Sequence, residues 1–477
     1  MKITPFFTAA SLLFAAGCAI GPDYQKPEHV LPERYPEREN AAFERLDAEW
    51  WKLFGDATLN ALMEDAFAGN QDLSAAVARM EAAEAAAREA GADYFPHIGA
   101  EASDLRSRTS AKTASGRQMG SMTSTNRRAA LSLNYELDLW GRIRRQNEAA
   151  RAEALGSRFA RDTIKISLAA QVAGAYFTLR SQDEEVAASV STLQTRKQTL
   201  EIVQGKQEMG AASALEVEQS RAAHAAAHAQ WTEAARQRAL TEHLLGLLIG
   251  QPDRAFEKTA DALPLAPIPP VGLPSDLLAF RPDVRQAEEA LIAANARIGV
   301  AKGAWLPSIG LTGLFGNESA ALSSLFSAPS TIWNYGFTLA LPLFEGGRGL
   351  ARVDQANALQ RAALADYLKA AQSAFRETRD ALVSMRALDR EEAAHSVQLE
   401  AARQAFSLAR ARYETGYTSF LEVLDSQREF NNATLAHNSV RRAHLLSVID
   451  LFRALGGGWR EEDAGVSTAK ASSPENS

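Results

Sequence analysis

The chain has 477 residues, of which 46% are hydrophobic and 23% are charged, so it has the composition of an ordinary folded protein. Its net charge of −7 at pH 7, without a basic stripe, argues against nucleic-acid binding, and no nucleic acid is expected as a partner. After the N-terminus, no run of residues approaches the ~18 consecutive apolar residues of a transmembrane helix.

The N-terminus has the pattern of a bacterial lipoprotein signal. A largely apolar stretch leads to Ala-Ala-Gly-Cys at residues 15–18, and small residues before a cysteine are typical of a lipoprotein cleavage box. Processing would remove residues 1–17 and leave Cys18 with N-acyl and S-diacylglycerol lipid, the one covalent group expected; no other cofactor is. Ala19, where inner-membrane lipoproteins carry Asp, favours the outer membrane. An ordinary signal peptide with an incidental cysteine is the alternative.

Residues 18–55 are rich in proline and charge, and they predict an extended, lipidated arm that docks on the body of the protein. Cys18 is the only cysteine, which excludes an intramolecular disulfide and a thiol-based site in that body. The first repeat is assigned to 56–251 and begins with short helices. Asp56 and Asn70 are the predicted N-caps, because such side chains accept hydrogen bonds from the free backbone N–H groups of a first turn.

A β-hairpin is predicted at about 96–140. Its second strand alternates between an apolar and a polar face, with a period of 2 rather than 3.6. The apolar positions are Ala129, Leu131, Leu133, Tyr135, Leu137 and Leu139, and the polar positions are Ser132, Asn134, Glu136 and Asp138. A weaker strand near 98–106 precedes it. The length of about ten residues and the aromatic side chains favour an outer-membrane strand over a strand of a soluble sandwich.

A helical hairpin is predicted at about 142–250, with its turn near Gly210, because this stretch lacks proline. Apolar residues recur every seven positions, as in the seam of a coiled coil. They are Val172, Leu179, Val186, Leu193 and Leu200. At ~1.5 Å per residue, the first helix would be a rod of roughly 100 Å.

A Pro-rich crossing segment at 252–282 is predicted to return the chain to a second copy of the unit. The second repeat, 283–459, is expected to hold a helix, a β-hairpin at about 307–343, and a helical hairpin at about 348–456 that turns near Gly416. Its alternating strand has an apolar face formed by Trp333, Tyr335, Phe337, Leu339, Leu341 and Leu343. Residues 460–477 are polar and predict a disordered tail.

The two copies correspond residue by residue at the helical turns. Gly210, Leu215, Glu216 and Val217 match Gly416, Leu421, Glu422 and Val423, all at an offset of 206 residues (416 minus 210). Because each repeat buries its faces against its neighbour, neither half is expected to form a structure alone. The chain is therefore predicted to be one body built from an internal two-fold repeat.

Four strands per chain cannot close a sheet in a membrane. An open edge in lipid leaves backbone groups unpaired at a cost of several kcal/mol each, and small barrels have about eight strands. Three chains would supply twelve strands and twelve long helices. The predicted fold class is therefore a mixed α/β membrane protein, a trimeric twelve-stranded outer-membrane β-barrel continued by a long periplasmic α-helical coiled-coil barrel with a water-filled lumen.

Several motifs carry a family resemblance that covers essentially the whole mature chain. They are Cys18 to Pro27, Trp50-Trp51 with Phe54-Gly55-Asp56, Arg281-Pro282-Asp283-Val284, Ala293 to Gly299, and Leu455 to Trp459. Together these motifs resemble the TolC-like outer-membrane factors of tripartite efflux and secretion systems, in particular the lipoprotein (NodT-type) branch. The resemblance implies a homotrimer that docks onto a periplasmic adaptor (membrane fusion) protein and an inner-membrane efflux pump.

In that family, the tunnel is closed at its periplasmic tip by residues just after the second helical turn. By position, Leu421, Asp425 and Arg428 match the family's constricting leucine, acidic ring and basic partner. Without the resemblance, their spacing alone would predict an apolar contact and a weak, solvent-exposed ion pair on one face of a helix. Glu414 departs from the Arg that relatives often carry, which puts the outer latch of the gate in doubt.

The turns of the two helical hairpins are the predicted docking surface for the adaptor. They contain Gly210, Ala211, Ala212 and Ser213 in the first copy and Gly416, Tyr417, Thr418 and Ser419 in the second. His224 and His228 lack a third ligand at metal spacing, and no catalytic constellation stands out, so no enzyme is predicted. The expected function is a passive duct that exports small molecules such as drugs and toxic compounds. The alternatives are a non-conducting structural coiled-coil lipoprotein and an outer-membrane duct for protein secretion.

Overall fold

The computed structural model describes residues 19–27, 46–114, 123–259, 263–267 and 281–460. The predicted signal peptide, Cys18, and the tail beyond residue 460 lie outside the described residues, as do parts of the N-terminal arm and of the Pro-rich crossing segment. In the described part of the crossing segment, residues 252–259 and 263–267 form neither helix nor strand.

Apart from the helix at Ala57–Gly69, which has no counterpart among the described residues of the second copy, the helices and strands follow the same order in the two copies. The first copy contains α1 (Ala57–Gly69), α2 (Gln71–Ala92), β1 (His97–Arg108), β2 (Thr123–Leu137), α3 (Arg142–Glu208) and α4 (Ala214–Leu248). The second contains α5 (Pro282–Gly303), β3 (Ser308–Ser319), β4 (Thr331–Ala340), α6 (Arg348–Glu414) and α7 (Phe420–Ala454). Helices α3 and α6 each have 67 residues and α4 and α7 each have 35, so the helical hairpins are equal in length.

The compact units of the structure do not coincide with the two sequence repeats. The strand unit is drawn mainly from Met80–Ser157 and Ala287–Tyr367, and the helix unit mainly from Arg158–Gln286 and Leu368–Ser477. Each unit therefore contains segments of both copies, because like elements of the two copies associate with each other.

In the strand unit, the four strands form one antiparallel sheet in the order β1-β2-β3-β4. The central pairing, β2 with β3, joins the two copies, and its register places Tyr135 opposite Leu311, which in turn lies opposite Phe337 on β4. The predicted alternation is thus confirmed across the sheet. Both β1 and β4 are edge strands, each paired on one side only among the described residues.

The strands predicted from the alternating pattern were too long in both copies. Strand β2 ends at Leu137 and β4 ends at Ala340, so Leu139, Leu341 and Leu343 lie outside the sheet. Pro342 has no backbone N–H with which to continue the ladder of β4. After β2, the N–H of Leu139 donates to the carbonyl of Leu137 at 2.9 Å, which turns the chain out of the strand.

Aromatic side chains pack together within the largely aliphatic core of the helix unit. Trp50 is buried, with its ring centroid 5.1 Å from that of Phe452, and Phe54 lies 4.8 Å from Phe177. The end of the arm is therefore not extended as predicted, since Trp50–Phe54 forms a 3₁₀ helix. A helical turn puts these bulky side chains on one side, where they enter the core.

The two predicted N-caps are confirmed in the helix unit. The Asp56 carboxylate accepts hydrogen bonds from the N–H groups of Thr58 at 2.9 Å and Leu59 at 3.1 Å. The side-chain oxygen of Asn70 accepts from the N–H of Leu73 at 3.0 Å. These bonds satisfy N–H groups that a helix leaves free in its first turn.

The seven-residue seam of α3 is buried where the helix passes through the core. Val172, Leu179 and Val186 are buried, whereas Leu193 and Leu200, nearer the turn, are half-buried. None of the helices in the described residues combines the length and the apolar character that crossing a bilayer requires.

Candidate channel wall, gate and docking tips

One face of the sheet is an exposed apolar surface. On β4 the side chains of Trp333, Tyr335 and Phe337 point to this face, and Tyr335 is 82% exposed and Phe337 76%. The rings of Trp333 and Tyr335 stack at 5.8 Å between centroids. The apolar surface ends toward the β1–β2 loop at Asp104 and Arg127, which pair at 3.0 Å. An aromatic face bounded by charges fits a lipid layer.

The opposite face of the sheet is polar and carries an ion-pair network. Arg128 on β2 lies 2.7 Å from a carboxylate oxygen of Glu318 on β3 and 3.8 Å from one of Glu101 on β1. The amide nitrogen of Asn126 donates to Glu318 at 3.0 Å. Sequence reasoning missed this network, although its members fall on the polar positions of the alternating strands. Ser132, Asn134 and Glu136 lie on the same face, as predicted.

Asp138 does not belong to the polar face of the sheet, contrary to the sequence prediction. It follows the end of β2, and its carboxylate accepts hydrogen bonds from the N–H groups of Ile143 at 3.0 Å and Arg144 at 2.9 Å. A carboxylate stabilises free N–H groups at a helix N-terminus. Asp138 therefore helps to start α3, next to the pair formed by Glu136 and Arg142 at 2.8 Å.

Residues 19–27 form an extended strap on the strand unit, beside the end of β2. The N–H of Ile20 donates to the carbonyl of Trp140 at 2.9 Å, and Asp23 pairs with Arg145 at 2.6 Å. Gly141 has φ +76° and lies against Ala19 so closely that an added Cβ would be 2.6 Å from that of Ala19. The strap thus holds the first residues after position 18 next to the end of a strand.

The two helical hairpins turn with the same backbone geometry. Gly210 and Gly416 have φ of +72° and +81°, the left-handed conformation that glycine adopts without steric cost. The backbone N–H of Ala211 donates to the backbone carbonyl of Lys206, and the N–H of Tyr417 donates to the carbonyl of Arg412, both at 2.8 Å. These hydrogen bonds close the ends of α3 and α6. These turns are therefore equivalent structures at equivalent positions of the repeat.

The two turns pack against each other within the helix unit. Val203, Val217 and Phe420 form a buried apolar cluster that takes one residue from each of α3, α4 and α7. The ammonium of Lys206 lies 4.7 Å from the ring centroid of Tyr413 on α6. Outside this cluster, the exposed apolar side chains at the turns are Met209, Leu215, Tyr417 and Leu421.

The predicted gate residues share an exposed face of α7. Leu421 is exposed, and Asp425 and Arg428, each more than half exposed, form an ion pair at 3.1 Å. The opposite face of the helix is buried through Val423 and Gln427. The structure therefore brings the three gate residues together on a surface that the chain's own described residues do not cover.

The other candidate residues from the sequence, His224, His228 and Glu414, are exposed or half-buried on the helices. His228 on α4 is exposed beside Trp231, and His224 is half-buried. No group of three or more His, Cys, Asp or Glu side chains that could hold a metal ion occurs among the described residues. Glu414, the departure from the family pattern, pairs with Arg410 of its own helix at 3.0 Å.

An antiparallel sheet with one apolar and one polar face, leading into two equal helical hairpins, defines an outer-membrane channel protein. The family model for outer membrane efflux proteins matches residues 62–251 and 273–457. The chain is 35% identical over 476 residues to the outer membrane protein OprJ of Pseudomonas aeruginosa, covering 96% of this chain and 97% of OprJ. It is 33% identical to the toluene efflux pump outer membrane protein TtgC of Pseudomonas putida, over 95% of each chain.

A solved structure of an outer membrane channel has the same fold. The Campylobacter jejuni CmeC outer membrane channel superimposes with a TM-score of 0.87 at 27% identity, covering 94% of this chain and 97% of CmeC. The chain therefore belongs to the outer membrane efflux protein family. It is an outer-membrane channel component of an efflux system in a Gram-negative bacterium, and its fold is that of trimeric channels with a helical barrel and a β domain.

Proposed function

We propose that three copies of this chain form a passive duct that carries small molecules out of the cell. The observation that carries the proposal is the four-stranded sheet, which has two edge strands and one polar face. Pairing β4 of one copy with β1 of the next would satisfy both edges and turn the polar faces toward a common lumen. The energy for transport then comes from partner proteins, and the chain itself catalyses no reaction.

The partners in this proposal are a periplasmic adaptor and an inner-membrane pump. Support comes from the two helical turns, which expose Met209, Leu215 and Tyr417 at the ends of two adjacent hairpins. Exposed apolar residues grouped at one place are typical of a protein interaction site. The segments proposed to contact the adaptor are 210–213 and 416–419.

The proposed cargo is small and organic, such as drugs and toxic compounds. The relative TtgC is named for a toluene efflux pump, and the chain matches that relative over 95% of its length. Deleting the chain from its host should therefore raise susceptibility to such compounds. If deletion instead blocked secretion of a protein and left drug susceptibility unchanged, the secretion duct would be the better assignment.

We further propose that Leu421, Asp425 and Arg428 close the duct near its tip. Symmetry would bring three copies of their exposed helix face toward one axis, where leucines constrict the lumen and carboxylates attract cations. Replacing the pair with Asp425→Ala and Arg428→Ala should loosen the closed tip and raise single-channel conductance. Asp425→Ala alone should also reduce cation preference, measured as the reversal potential in asymmetric salt.

A matched control for the gate experiment exists in the first copy. Gln219 and Ala222 occupy the positions that correspond to Asp425 and Arg428, so Gln219→Ala should leave conductance and selectivity unchanged. Equal conductance and reversal potential in wild type and all variants would show that Asp425 and Arg428 are only a solvated ion pair.

Finally, we propose that Cys18 carries the lipid anchor. The strap of residues 19–27 supports this, because it holds the residue next to Cys18 beside Gly141, at the end of a strand. Mass spectrometry of the mature N-terminus should show acyl chains on Cys18. Cys18→Ser should lose them while the trimer still forms, because the sheet does not depend on the anchor. Native protein with an unmodified cysteine would contradict the proposal.

A further inference from the structure

The β1–β2 hairpin carries positive charge, although the chain as a whole is acidic. Residues 105–135 contain six basic side chains and no aspartate or glutamate, whereas the net charge of the whole chain is −7. The six are Arg106, Arg108, Lys112, Arg117, Arg127 and Arg128. Such an excess of one sign is typical of a surface that meets a partner of the opposite charge.

The strand register places three of these arginines on the apolar face of the sheet. Successive side chains of a strand point to opposite faces, so residues two apart share a face. On β1, Arg106 and Arg108 share the face of Ile98, which lies opposite Leu133 of β2. On β2, Arg127 shares the face of Leu133. These three residues, the outward arginines, therefore extend the face that is directed to lipid.

Positive charge is in excess on the outward face. Asp104, the only acidic residue that the four strands place on this face, pairs with Arg127 at 3.0 Å. Arg127 also donates to the carbonyl of Ala320 at 2.7 Å, which fixes its side chain. Arg106 is exposed and forms no ion pair within the part of the chain that the structure describes. Three arginines and one aspartate thus leave positive charge without a counter-charge.

A neighbouring copy of the chain cannot supply that counter-charge through its edge strand. When β4 of the next copy pairs with β1, it brings residues 331–340 and the preceding connection, 320–330, close to the outward arginines. Residues 319–344 contain no charged side chain at all. The excess positive charge is therefore left for a partner other than the strands of the trimer.

The outward arginines lie above the aromatic part of the apolar face, on its extracellular side. Strands β2 and β4 lead into α3 and α6, so the connections 109–122 and 320–330 are at the other end of the sheet. Long connections of outer-membrane barrels are extracellular. Ala100 shares a row with Trp333, and Arg106 lies roughly 20 Å further along β1, or about 15 Å higher at the usual strand tilt. This is the level of the headgroups of the outer leaflet.

We propose that the outward arginines bind the phosphate groups of the phosphorylated glycolipid, lipopolysaccharide, that forms the outer leaflet of a Gram-negative outer membrane. Arg106 and Arg108 are about 7 Å apart along the strand, and Arg127 is a diagonal neighbour of Arg106, so two guanidinium groups can reach one phosphate. A guanidinium donates two parallel hydrogen bonds to phosphate oxygens. Because the arginines continue the apolar face, one lipid molecule can lay its acyl chains on that face and its phosphates on the arginines.

The proposal can be tested by lipid binding to the purified, delipidated trimer in a neutral detergent. Lipopolysaccharide should raise the melting temperature and stay bound in native mass spectrometry, because a ligand of the folded state stabilises it. The dephosphorylated lipid should bind at least roughly tenfold more weakly, since the charged acceptors are lost. Inorganic phosphate alone should not stabilise the trimer, because it lacks the acyl chains that cover the apolar face.

Two variants introduce the same carboxylate on opposite faces of β1. Arg106→Glu should weaken lipopolysaccharide binding roughly tenfold or more, because it removes a phosphate-binding group and repels the phosphates. Ser107→Glu, at the same height on the polar face, should keep the wild-type affinity. Arg106→Gln combined with Arg108→Gln should also lose affinity, while trimer yield stays at the wild-type level because both side chains are exposed.

Three results would overturn the assignment. Equal lipopolysaccharide affinity in wild type and Arg106→Glu would show that the outward arginines are only solvated. Equal binding of the phosphorylated and dephosphorylated lipids would show that the acyl chains alone are recognised. The same stabilisation by inorganic phosphate would identify a general anion site rather than a lipid site. None of these outcomes bears on transport, so the lipid site can fail while the proposed duct stands.

Discussion

Phe337→Arg should abolish assembly of the trimer in the outer membrane, whereas Thr338→Arg, one residue further on, should leave assembly intact. Phe337 lies on the exposed apolar face of β4, between Tyr335 and Leu339, and Thr338 lies on the opposite face. An arginine facing lipid near the bilayer midplane costs about 2–4 kcal/mol, and a trimer would carry three of them. An arginine on the polar face meets water and costs little.

The measurement is the amount of trimer in outer-membrane fractions, confirmed by native mass spectrometry in detergent. Thr338→Arg should also change the ion selectivity of the reconstituted channel, because it would add three positive charges to the lumen. Equal trimer yield from both variants would contradict the assignment of the faces. A stable monomer inserted in the membrane would contradict the closure of the sheet by three chains.

Charge at the hairpin tips should abolish efflux without affecting assembly. Ala211 and Tyr417 occupy equivalent positions just after the two turn glycines, and both are exposed. Ala211→Asp combined with Tyr417→Asp would place two carboxylates per chain on the proposed docking surface, and burying them against an adaptor would require desolvation without a partner. Drug susceptibility should approach that of the deletion strain, while trimer yield stays at the wild-type level.

These positions sharpen the test because they avoid the packing between the hairpins. Ala212 and Thr418 are half-buried, and Ala212 packs against the cluster that contains Val203, so charge there could disturb the fold as well as docking. Ala226→Asp is the matched control, since Ala226 is exposed on α4 well away from the turn. Unchanged susceptibility in the double tip variant, or equal loss in the control, would count against the tips as the docking surface.

Much of the fold could be predicted because its signals are local. The period-2 pattern of β2 identified the faces of the strand, and the capping chemistry of Asp56 and Asn70 identified two helix starts. The turn glycines at 210 and 416 were also visible, since a left-handed residue at a helix end favours glycine. Each of these features depends on residues that are close together in the sequence.

The errors arose where a local pattern continued beyond the element that produces it. Alternation carried on through Leu139 and Asp138, but the strand ends at Leu137 and Asp138 caps a helix instead. The Pro-rich arm was predicted to be extended, but at its end the apolar core draws Trp50 and Phe54 into a 3₁₀ helix. In both cases, contacts with distant parts of the chain decided the outcome.

The sequence by itself determined the repeat, the order of strands and long helices, the face that each strand turns to lipid, and membership of the family. These follow from periodicity and motifs, which a chain carries wherever it folds. Only the tertiary structure showed where the strap of residues 19–27 docks, and it alone showed the Arg128 ion pairs across three strands. Those features join residues from distant parts of the chain, and spacing along one chain contains no information about which distant side chains meet.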